Sequence, residues 1–268
     1  MEATPLRSSP EMTEWISPSA FPDLPLNAVH IWRASLEIDR ESQEKYARVL
    51  SDEDRARAER FVHERDRISY IASHGFLREL LARYLECRPN TIEFTAGPHG
   101  KPAVSQARSP FTLGFNLSHA HGVGIAAVVR GREIGVDVEK IRPDFAGEEI
   151  AQRYFSEAEI AELKQVPREQ RATAFFLCWT RKEAYVKALG EGLRFPLDRF
   201  SVSLTPGGPI QLRADDAGRW GIRAFEVPTT SGMTHVGAVV CEGDDWTIQR
   251  LDWGEFENGQ PKRSPRTV

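Results

Sequence analysis

The feature that most restricts the fold of this chain is a short strand with two acids on one face. Within GREIGVDVEK, residues 131–140, strand geometry places three aliphatic side chains on one face and Gly135, Asp137 and Glu139 on the other. Neighbouring carboxylates repel each other, so a positive partner is expected beside them. The strand is therefore predicted to have one apolar face and one polar face, with Gly135 leaving room beside the acids for a ligand.

The elements before this strand mix strands with helices. Residues 28–36 alternate as a strand, and residues 51–86 have the spacing of two helices, the first capped by Ser51 and the second starting at Asp66. A short strand is expected at 91–94. Two longer strands are then expected over residues 111–141, which include the acid-bearing strand.

A similar order returns after the strand. Two helices are expected around 147–153 and 156–164, the second with a capping box of Ser156 and Glu159. A longer helix is expected from Gln170 to Leu189, ended by Gly190, and five strands should follow. Helices grouped with strands in this way indicate an α+β fold rather than a regular βαβ alternation.

The recurrence of this order predicts two α+β halves, although no strict sequence repeat is present. We assign the N-terminal half to residues 28–135 and the C-terminal half to residues 136–254. Residues 1–27, rich in proline and serine, are predicted to be a flexible or surface-draped extension. Residues 255–268 are predicted to be a flexible tail.

Composition restricts the cellular setting and the partners. The net charge of −4 over 268 residues gives the whole chain no attraction to nucleic acid, so any anion site must be local. Three widely spaced cysteines without a CxxC pair suit a reducing cytosol and argue against structural zinc. No apolar run approaches the length that spans a membrane, and no secretion signal is recognisable. A cytoplasmic protein with neither nucleic-acid nor membrane partners is expected.

A second group of charged residues lies on the predicted helix 170–189. Trp179, Glu183 and Lys187 follow one another at intervals of four and share one stripe. Alone, they indicate a surface Glu–Lys pair worth about 0.2–0.5 kcal/mol. Together with Asp137 and Glu139, however, they supply three carboxylates from two rigid elements. Such a set can bind Mg²⁺ and leave positions for water and a substrate phosphate, with Lys187 directed at the same phosphate.

Other stretches carry candidate anion ligands. In FNLSHAHGVG, residues 115–124, Ser118 and His119 stand at a strand end, and His121 could serve equally. The turn GPHGKP, residues 97–102, exposes Lys101 beside a proline. The alternative interpretations are that the histidine is an ordinary loop residue and that the turn at 97–102 is simply exposed to solvent. The segment GVGIAA matches a dinucleotide-binding pattern, but β-branched residues and a turn follow where such a site needs a helix.

These residues carry a family resemblance. IGVDVE followed by CWTRKEAYVKALGEGL resembles the GxDxE strand and the WxxKEAxxK helix of the 4′-phosphopantetheinyl transferases of the Sfp type. The likeness extends to LSDEDRARAERFVHERD, GPHGKP, FNLSHAHG, YFSEAEIAEL and FPLDRFSV, and covers roughly residues 28–250. The resemblance implies the 4′-phosphopantetheinyl transferase fold, with two pseudo-twofold-related halves and the active site between them. Because one chain holds both halves, a monomer is expected.

The resemblance also implies an activity. Such enzymes move the 4′-phosphopantetheine arm of coenzyme A to a serine of an acyl or peptidyl carrier protein and release 3′,5′-ADP. The carriers serve fatty-acid, polyketide or nonribosomal-peptide synthesis. In this chain Asp137, Glu139 and Glu183 are expected to hold Mg²⁺. The residues expected to act on coenzyme A or in catalysis are Arg57, Lys101, Pro102, Ser118, His119, Glu183 and Lys187.

The implied roles differ along coenzyme A. Lys187 should contact the pyrophosphate, and Ser118 and His119 the nucleotide phosphates. Lys101 and Pro102 should flank the adenine, and Arg57 should meet the 3′-phosphate. The base that deprotonates the carrier serine is either Glu183 or a water at the metal cluster. Without metal, one of the two strand acids should have a raised pKa.

Two departures weaken the expected clamp on the 3′-phosphate. Positions that are basic in some relatives are Asp54 and Ser69 in this chain, so Arg55 or Arg67 is expected to substitute. Two rival hypotheses stay open at this stage. One is a non-catalytic binder of carrier proteins or coenzyme A, and the other is a nucleotide-binding oxidoreductase built on GVGIAA.

Overall fold

A computed structural model describes residues 14–97, 99–105, 111–145, 147–192, 195–228 and 234–254. Its helices are α1 (Arg40–Val49), α2 (Asp52–Ala58), α3 (Glu64–Tyr84), α4 (Glu148–Tyr154), α5 (Glu157–Gln165) and α6 (Arg171–Leu189). Its strands are β1 (Ala28–Ser35), β2 (Phe94–Ala96), β3 (Pro102–Val104), β4 (Leu113–Ala120), β5 (Val123–Arg130), β6 (Ile134–Lys140), β7 (Ser201–Val202), β8 (Leu212–Arg213), β9 (Trp220–Pro228), β10 (Thr234–Glu242) and β11 (Thr247–Asp252). The predicted α+β class is confirmed.

The first sheet joins strands from both ends of the chain. Its order is β11-β1-β5-β4, with β1 antiparallel to β5 and parallel to β11, where Ala28 lies opposite Thr247. Helix α3 packs on the face of this sheet that carries Trp32 and Val128. Strand β11 therefore brings the end of the predicted C-terminal half into the sheet of the N-terminal half.

The second sheet has the order β6-β10-β9 and is antiparallel throughout. Helix α6 packs on the face that carries Ala238 and Val240. The opposite face of this sheet packs on the first sheet, and Val136 and Val138 of β6 are buried between the two with Ile31. The layers thus run helix, sheet, sheet, helix, and the predicted apolar face of β6 forms part of the central core.

Gly135 has a different role from the one predicted. A Cβ atom added to it would lie 2.1 Å from the carbonyl oxygen of Ala184 and 2.3 Å from the amide nitrogen of Ala188. The missing side chain therefore allows α6 to approach β6 closely, and the space is filled by the helix backbone. The expectation that Gly135 makes room for a ligand is wrong.

Several local predictions match the structure. Ser51 and Ser156 each accept a hydrogen bond from the backbone three residues on, and both helices have complete capping boxes. Gly190 ends α6 with φ of 75°. Residues 111–141 hold three strands instead of two, because His121 and Gly122 make a turn with positive φ of 44° and 82°. This turn leads directly into β5, so GVGIAA lacks the helix that a dinucleotide site needs.

The segment before β1 packs on the sheets from the point where it is described. Ile16 bridges Leu251 of β11, and the indole nitrogen of Trp15 donates to the carbonyl of Glu226 at 3.0 Å. Phe21 stacks on Trp32 with ring centres 5.5 Å apart. Trp15, Ile16 and Phe21 of the predicted extension 1–27 thus contact the sheets, while residues 1–13 and the predicted tail 255–268 lie outside the described residues. Within the described ranges, no helix combines the length and the apolar character needed to cross a bilayer.

Candidate active site

The acidic strand and helix α6 meet at a network of three side chains. The ammonium nitrogen of Lys187 lies 2.6 Å from Oδ1 of Asp137 and 3.1 Å from Oγ of Ser118. The hydroxyl of Ser118 also donates to Oδ1 of Asp137 at 2.8 Å. Lys187 further donates to the carbonyl of Val136 at 3.3 Å. Lys187 is thus the positive partner that the paired acids of β6 required.

Each member of this network stands on a different layer of the fold. Ser118 is near the end of β4 in the first sheet, Asp137 is in β6 of the second sheet, and Lys187 is in the last turn of α6. The side chain of Asn116 accepts a hydrogen bond from the amide of Val136 at 2.9 Å and so ties β4 to β6. The site lies where both sheets and α6 meet, which positions its side chains on regular elements.

The two remaining acids, Glu139 and Glu183, are close enough to Asp137 for its charge to act on their pKa values. Burial of the carboxyl, and then the charge of Asp137, raises the pKa of Glu139 to about 7. The pKa of Glu183 is raised by the same two causes in the same order, and the ammonium of Lys187 partly offsets this. The raised pKa expected for one acid of β6 is therefore found at Glu139, although burial contributes more than repulsion.

A cation fits one feature of the acid cluster, which consists of Asp137, Glu139 and Glu183. Oδ2 of Asp137 is buried and has no hydrogen-bond partner among the described residues, which leaves one carboxylate oxygen with an open ligand position. Oxygen donors of this kind are those that Mg²⁺ takes. Among the described residues, no three acidic, histidine or cysteine side chains form a ready-made metal site. The cluster therefore has the oxygen donors of a cation site, but its described side chains do not converge on one point.

His119 and Arg57 are both close enough to His74 to influence its pKa. The pKa of His119 is lowered, first by burial and then by the charge of Lys187. Burial lowers the pKa of His74 to about 4, and the charges of His119 and Arg57 add smaller effects. His74 stacks on Tyr70 at 3.8 Å, and the guanidinium of Arg57 lies 5.8 Å from the centre of the same ring. These residues form one wall on the α2 and α3 side of the site.

Lys101 reaches α6 from the β2–β3 hairpin. Its ammonium donates to the carboxylate of Glu133 at 2.6 Å and to the carbonyl of Ala188 at 3.1 Å. Pro102, at the start of β3, is exposed and lies opposite Ala96. The structure therefore places Lys101 beside the C-terminal end of α6, and shows no bond between it and the acid cluster.

Asp54 is held in place by the fold. Its carboxylate closes the capping box of α2 and accepts from the guanidinium of Arg78, whose Nε lies 2.8 Å away. The hydroxyl of Tyr70 donates to the other oxygen at 3.2 Å. Arg55 is bonded to Asp52 and to the carbonyl of Leu50. Asp54 thus serves the fold, and Arg55, which was expected to bind the 3′-phosphate, already has partners.

A cleft of about 690 Å³ opens beside His119 and Glu139. Its walls are the β1–α1 connection, the start of α3 and the β4–β5 turn. This volume is in the range of small-molecule sites. Glu139 and His119 therefore line a cleft large enough for a substrate.

Comparison with known proteins agrees with this picture. A family model described as "4'-phosphopantetheinyl transferase superfamily" matches residues 133–240, and one described as "4'-phosphopantetheinyl transferase, N-terminal" matches residues 34–130. The 4′-phosphopantetheinyl transferase HetI of Nostoc sp. is 35% identical over 218 residues, which are 81% of this chain and 89% of that protein. The chain belongs to the 4′-phosphopantetheinyl transferase superfamily.

Further relatives of this transferase point the same way. The 4′-phosphopantetheinyl transferase Sfp of Bacillus subtilis is 29% identical over 180 residues, covering 67% of this chain and 78% of Sfp. A solved holo-[acyl-carrier-protein] synthase of Thermotoga maritima overlaps 41% of this chain and 62% of its own, at 23% identity and a TM-score of 0.31. As a member of its family, this transferase moves phosphopantetheine from coenzyme A to carrier proteins.

The site of this transferase contains groups that sequence reasoning missed. The charges of Arg57 and His119 both act on the pKa of His74, and the sequence marked His74 only as a histidine within a helix. The charge of Arg142, just after β6, lowers the pKa of Glu139 and opposes the effect of burial. Arg78 is buried against Asp54. The sequence indicated this contact only through an arginine on the core side of a helix. The family resemblance identified the acids, while these neighbours depend on long-range packing.

Proposed function

We propose that this transferase is Mg²⁺-dependent and releases 3′,5′-ADP when it modifies the carrier serine. The observation that carries the proposal is the partnerless buried oxygen of Asp137, flanked by two acids whose pKa values are raised. Asp137, Glu139 and Glu183 are proposed to hold the ion. When bound, Mg²⁺ neutralises the pyrophosphate of coenzyme A and stabilises the leaving nucleotide.

Lys187 and Ser118 are proposed to bind the pyrophosphate region. Both already share Oδ1 of Asp137, so their donor groups face the place where a phosphate would sit beside the acids. Phosphoryl transfer depends on positioning and charge neutralisation more than on covalent help from the protein. A lysine ammonium is well suited to this task, since its three donors form charge-assisted bonds with phosphate oxygens.

The proton of the carrier serine needs an acceptor. Glu183 is the candidate, because its raised pKa brings a carboxylate closer to the range in which a general base works at neutral pH. A water held among the three carboxylates is the alternative. His119 and Arg57 are proposed to bind the nucleotide phosphates from the wall around His74. Lys101 and Pro102 are proposed to flank the adenine. A cytoplasmic monomer is proposed for the protein as a whole.

The test is carrier modification followed by mass spectrometry. The full chain is incubated with coenzyme A, Mg²⁺ and an apo carrier protein, and the carrier is weighed. Wild type should add one phosphopantetheine group, whereas Glu183→Gln and Asp137→Ala should abolish the gain with unfolding curves close to wild type. Glu157→Gln, an exposed acid of α5, is the matched control and should remain active. Near-normal turnover in either site variant would exclude the metal assignment.

A further inference from the structure

The contact between the two sheets changes in character at β4. Over β1 and β5 it consists of buried aliphatic side chains that pack on the second sheet. Alternate residues of a strand share one face, and Phe115 of β4 is buried in the core on the α3 side. Gly114, Asn116 and Ser118 therefore face the second sheet. The face of β4 that meets β6 is thus small and polar instead of aliphatic.

Strands β4 and β6 are the neighbouring edges of the two sheets. Each is the last strand of its sheet, and the two strands pack against each other. In the part of the chain that the structure describes, no backbone–backbone hydrogen bond joins them. The peptide groups of β6 that point away from β10 consequently need side chains as partners.

The peptide groups of Val136 have such partners on both sides. The amide donates to Oδ1 of Asn116 at 2.9 Å, and the carbonyl accepts from the ammonium of Lys187 at 3.3 Å. Val136 and Asn116 are both buried. A buried amide without an acceptor would lose its hydration and gain nothing in return. The side chain of Asn116 therefore fixes where this part of β6 lies.

The same face of β4 holds β6 at two further points. Ser118 donates to Oδ1 of Asp137 at 2.8 Å. At Gly114 an added Cβ would lie 2.2 Å from the carbonyl oxygen of Arg132, so the two backbones are in close contact there. Asn116 lies between these points and bonds the residue directly before Asp137. A shift of β6 at Asn116 would carry Asp137 away from its partners.

We propose that Asn116 is a positioning residue for the transfer reaction, an inference that rests on the proposed function. It acts through Val136, whose placement sets the distances from Asp137 to Ser118 and Lys187. Catalysis of phosphoryl transfer depends on charges held in fixed positions, and a misplacement of about 1 Å can cost on the order of 100-fold in rate. A leucine would fill a similar volume, so packing alone does not require an asparagine here.

The test separates the hydrogen bond from the volume of the side chain. Asn116→Leu removes the acceptor, whereas Asn116→Asp keeps an oxygen at the same position. In Asn116→Leu, kcat for carrier modification should fall by about 10- to 100-fold, while KM for coenzyme A stays within about threefold. Hydrogen exchange of the Val136 amide, followed by NMR without ligand or metal, should become at least about tenfold faster. In Asn116→Asp both quantities should return to within about threefold of wild type.

Phe115→Leu is the matched control, because it removes core contacts from the opposite face of the same strand. It should lower the urea midpoint at least as far as Asn116→Leu does, yet keep kcat and the slow exchange of Val136. Equal slowing of kcat in this control would overturn the proposal. Near-normal kcat in folded Asn116→Leu would overturn it too, and so would Asn116→Asp that protects Val136 but turns over as slowly as the leucine variant. Asn116→Ala repeats the test if Asn116→Leu fails to fold.

Failure of the proposed function would look different from failure of this proposal. Wild type would then add no mass to any carrier, or would keep its full turnover after the divalent cations are removed with a chelator. The exchange rate of the Val136 amide reports on Asn116 in either case, because neither ligand nor metal is present in that measurement.

Discussion

The ammonium of Lys187 lies 2.6 Å from Oδ1 of Asp137, at the centre of the acid cluster. This lysine is an internal counter-ion for a carboxylate that is almost completely buried. The same carboxylate is proposed to hold a divalent cation, so the two positive charges compete for one acid. Under the proposed function, Lys187 therefore has two opposing effects, since it would weaken metal binding and strengthen phosphate binding.

Lys187→Met should bind Mn²⁺ more tightly than wild type in the absence of coenzyme A. The gain should be about fivefold, since a partly exposed ion pair contributes on the order of 1 kcal/mol. Carrier modification should nevertheless fall, because the phosphates lose a ligand. Calorimetric titration with Mn²⁺ measures the affinity, and Lys164→Met, an exposed lysine of α5, is the control. Weaker Mn²⁺ binding by Lys187→Met would show that the lysine does not compete.

Stability should depend on pH through Glu139. Its pKa is raised from an ordinary value near 4.5 to about 7, so the folded protein holds this proton more tightly than the unfolded chain does. The resulting stabilisation is present below pH 4.5 and is lost as the pH rises through 7. At pH 8 the free energy of unfolding, measured with urea, should therefore be higher for Glu139→Gln than for wild type by roughly 2 kcal/mol. The difference between the two free energies of unfolding should disappear near pH 4.5. Chelator in both samples keeps cations out, and identical pH slopes would contradict the prediction.

Gly135→Ala should lower both stability and transfer. The added methyl group would collide with the backbone of α6, and overpacking of this kind costs about 1–3 kcal/mol. Glu183 and Lys187 would move with the helix, so turnover should fall more than the affinity for nucleotide. Urea unfolding and carrier modification give the two readouts. Gly218→Ala, where an added Cβ meets nothing within 4 Å, should leave both unchanged.

Asp54→Lys, which introduces the charge found in some relatives, should destabilise the protein without improving coenzyme A affinity. The substitution removes the capping box of α2 and leaves the buried guanidinium of Arg78 without its carboxylate. A loss of about 3 kcal/mol is expected. Asp54→Asn keeps a capping acceptor and should lose less. A gain in coenzyme A affinity on calorimetry, with stability unchanged, would show that Asp54 belongs to the ligand site.

Local chemistry made part of this structure predictable. The capping boxes at Ser51 and Ser156 and the glycine that ends α6 depend on residues within four positions of each other. The pairing of Asp137 with Glu139 follows from the period of a strand. The acid cluster was therefore predictable as soon as the strand and the helix were recognised as neighbours by family resemblance.

Contacts between distant residues were not predictable in this way. Lys182 looked like an ordinary helix lysine beside Glu183, yet it is fully buried and bonded to both oxygens of Glu159 and to the carbonyl of Phe200. Helix α1 was not predicted, because its sequence is strongly polar and Tyr46 is the one residue that it buries. The true role of Gly135 depends on α6, which begins 36 residues later at Arg171. Such features arise when elements dock, and spacing along one segment does not encode them.

The pairing of β11 with β1 has a consequence for how the protein is made. As the chain leaves the ribosome, β1 emerges long before its parallel neighbour β11, which begins at Thr247. Until then one edge of β1 has open amide and carbonyl groups, the kind of edge that recruits foreign strands. The backbone of Ile16 also lacks its partners until then, since its amide and carbonyl bond to Arg250 and Asp252. The nascent chain thus remains open to mispairing at this edge until β11 has been translated, and its first sheet is complete only then.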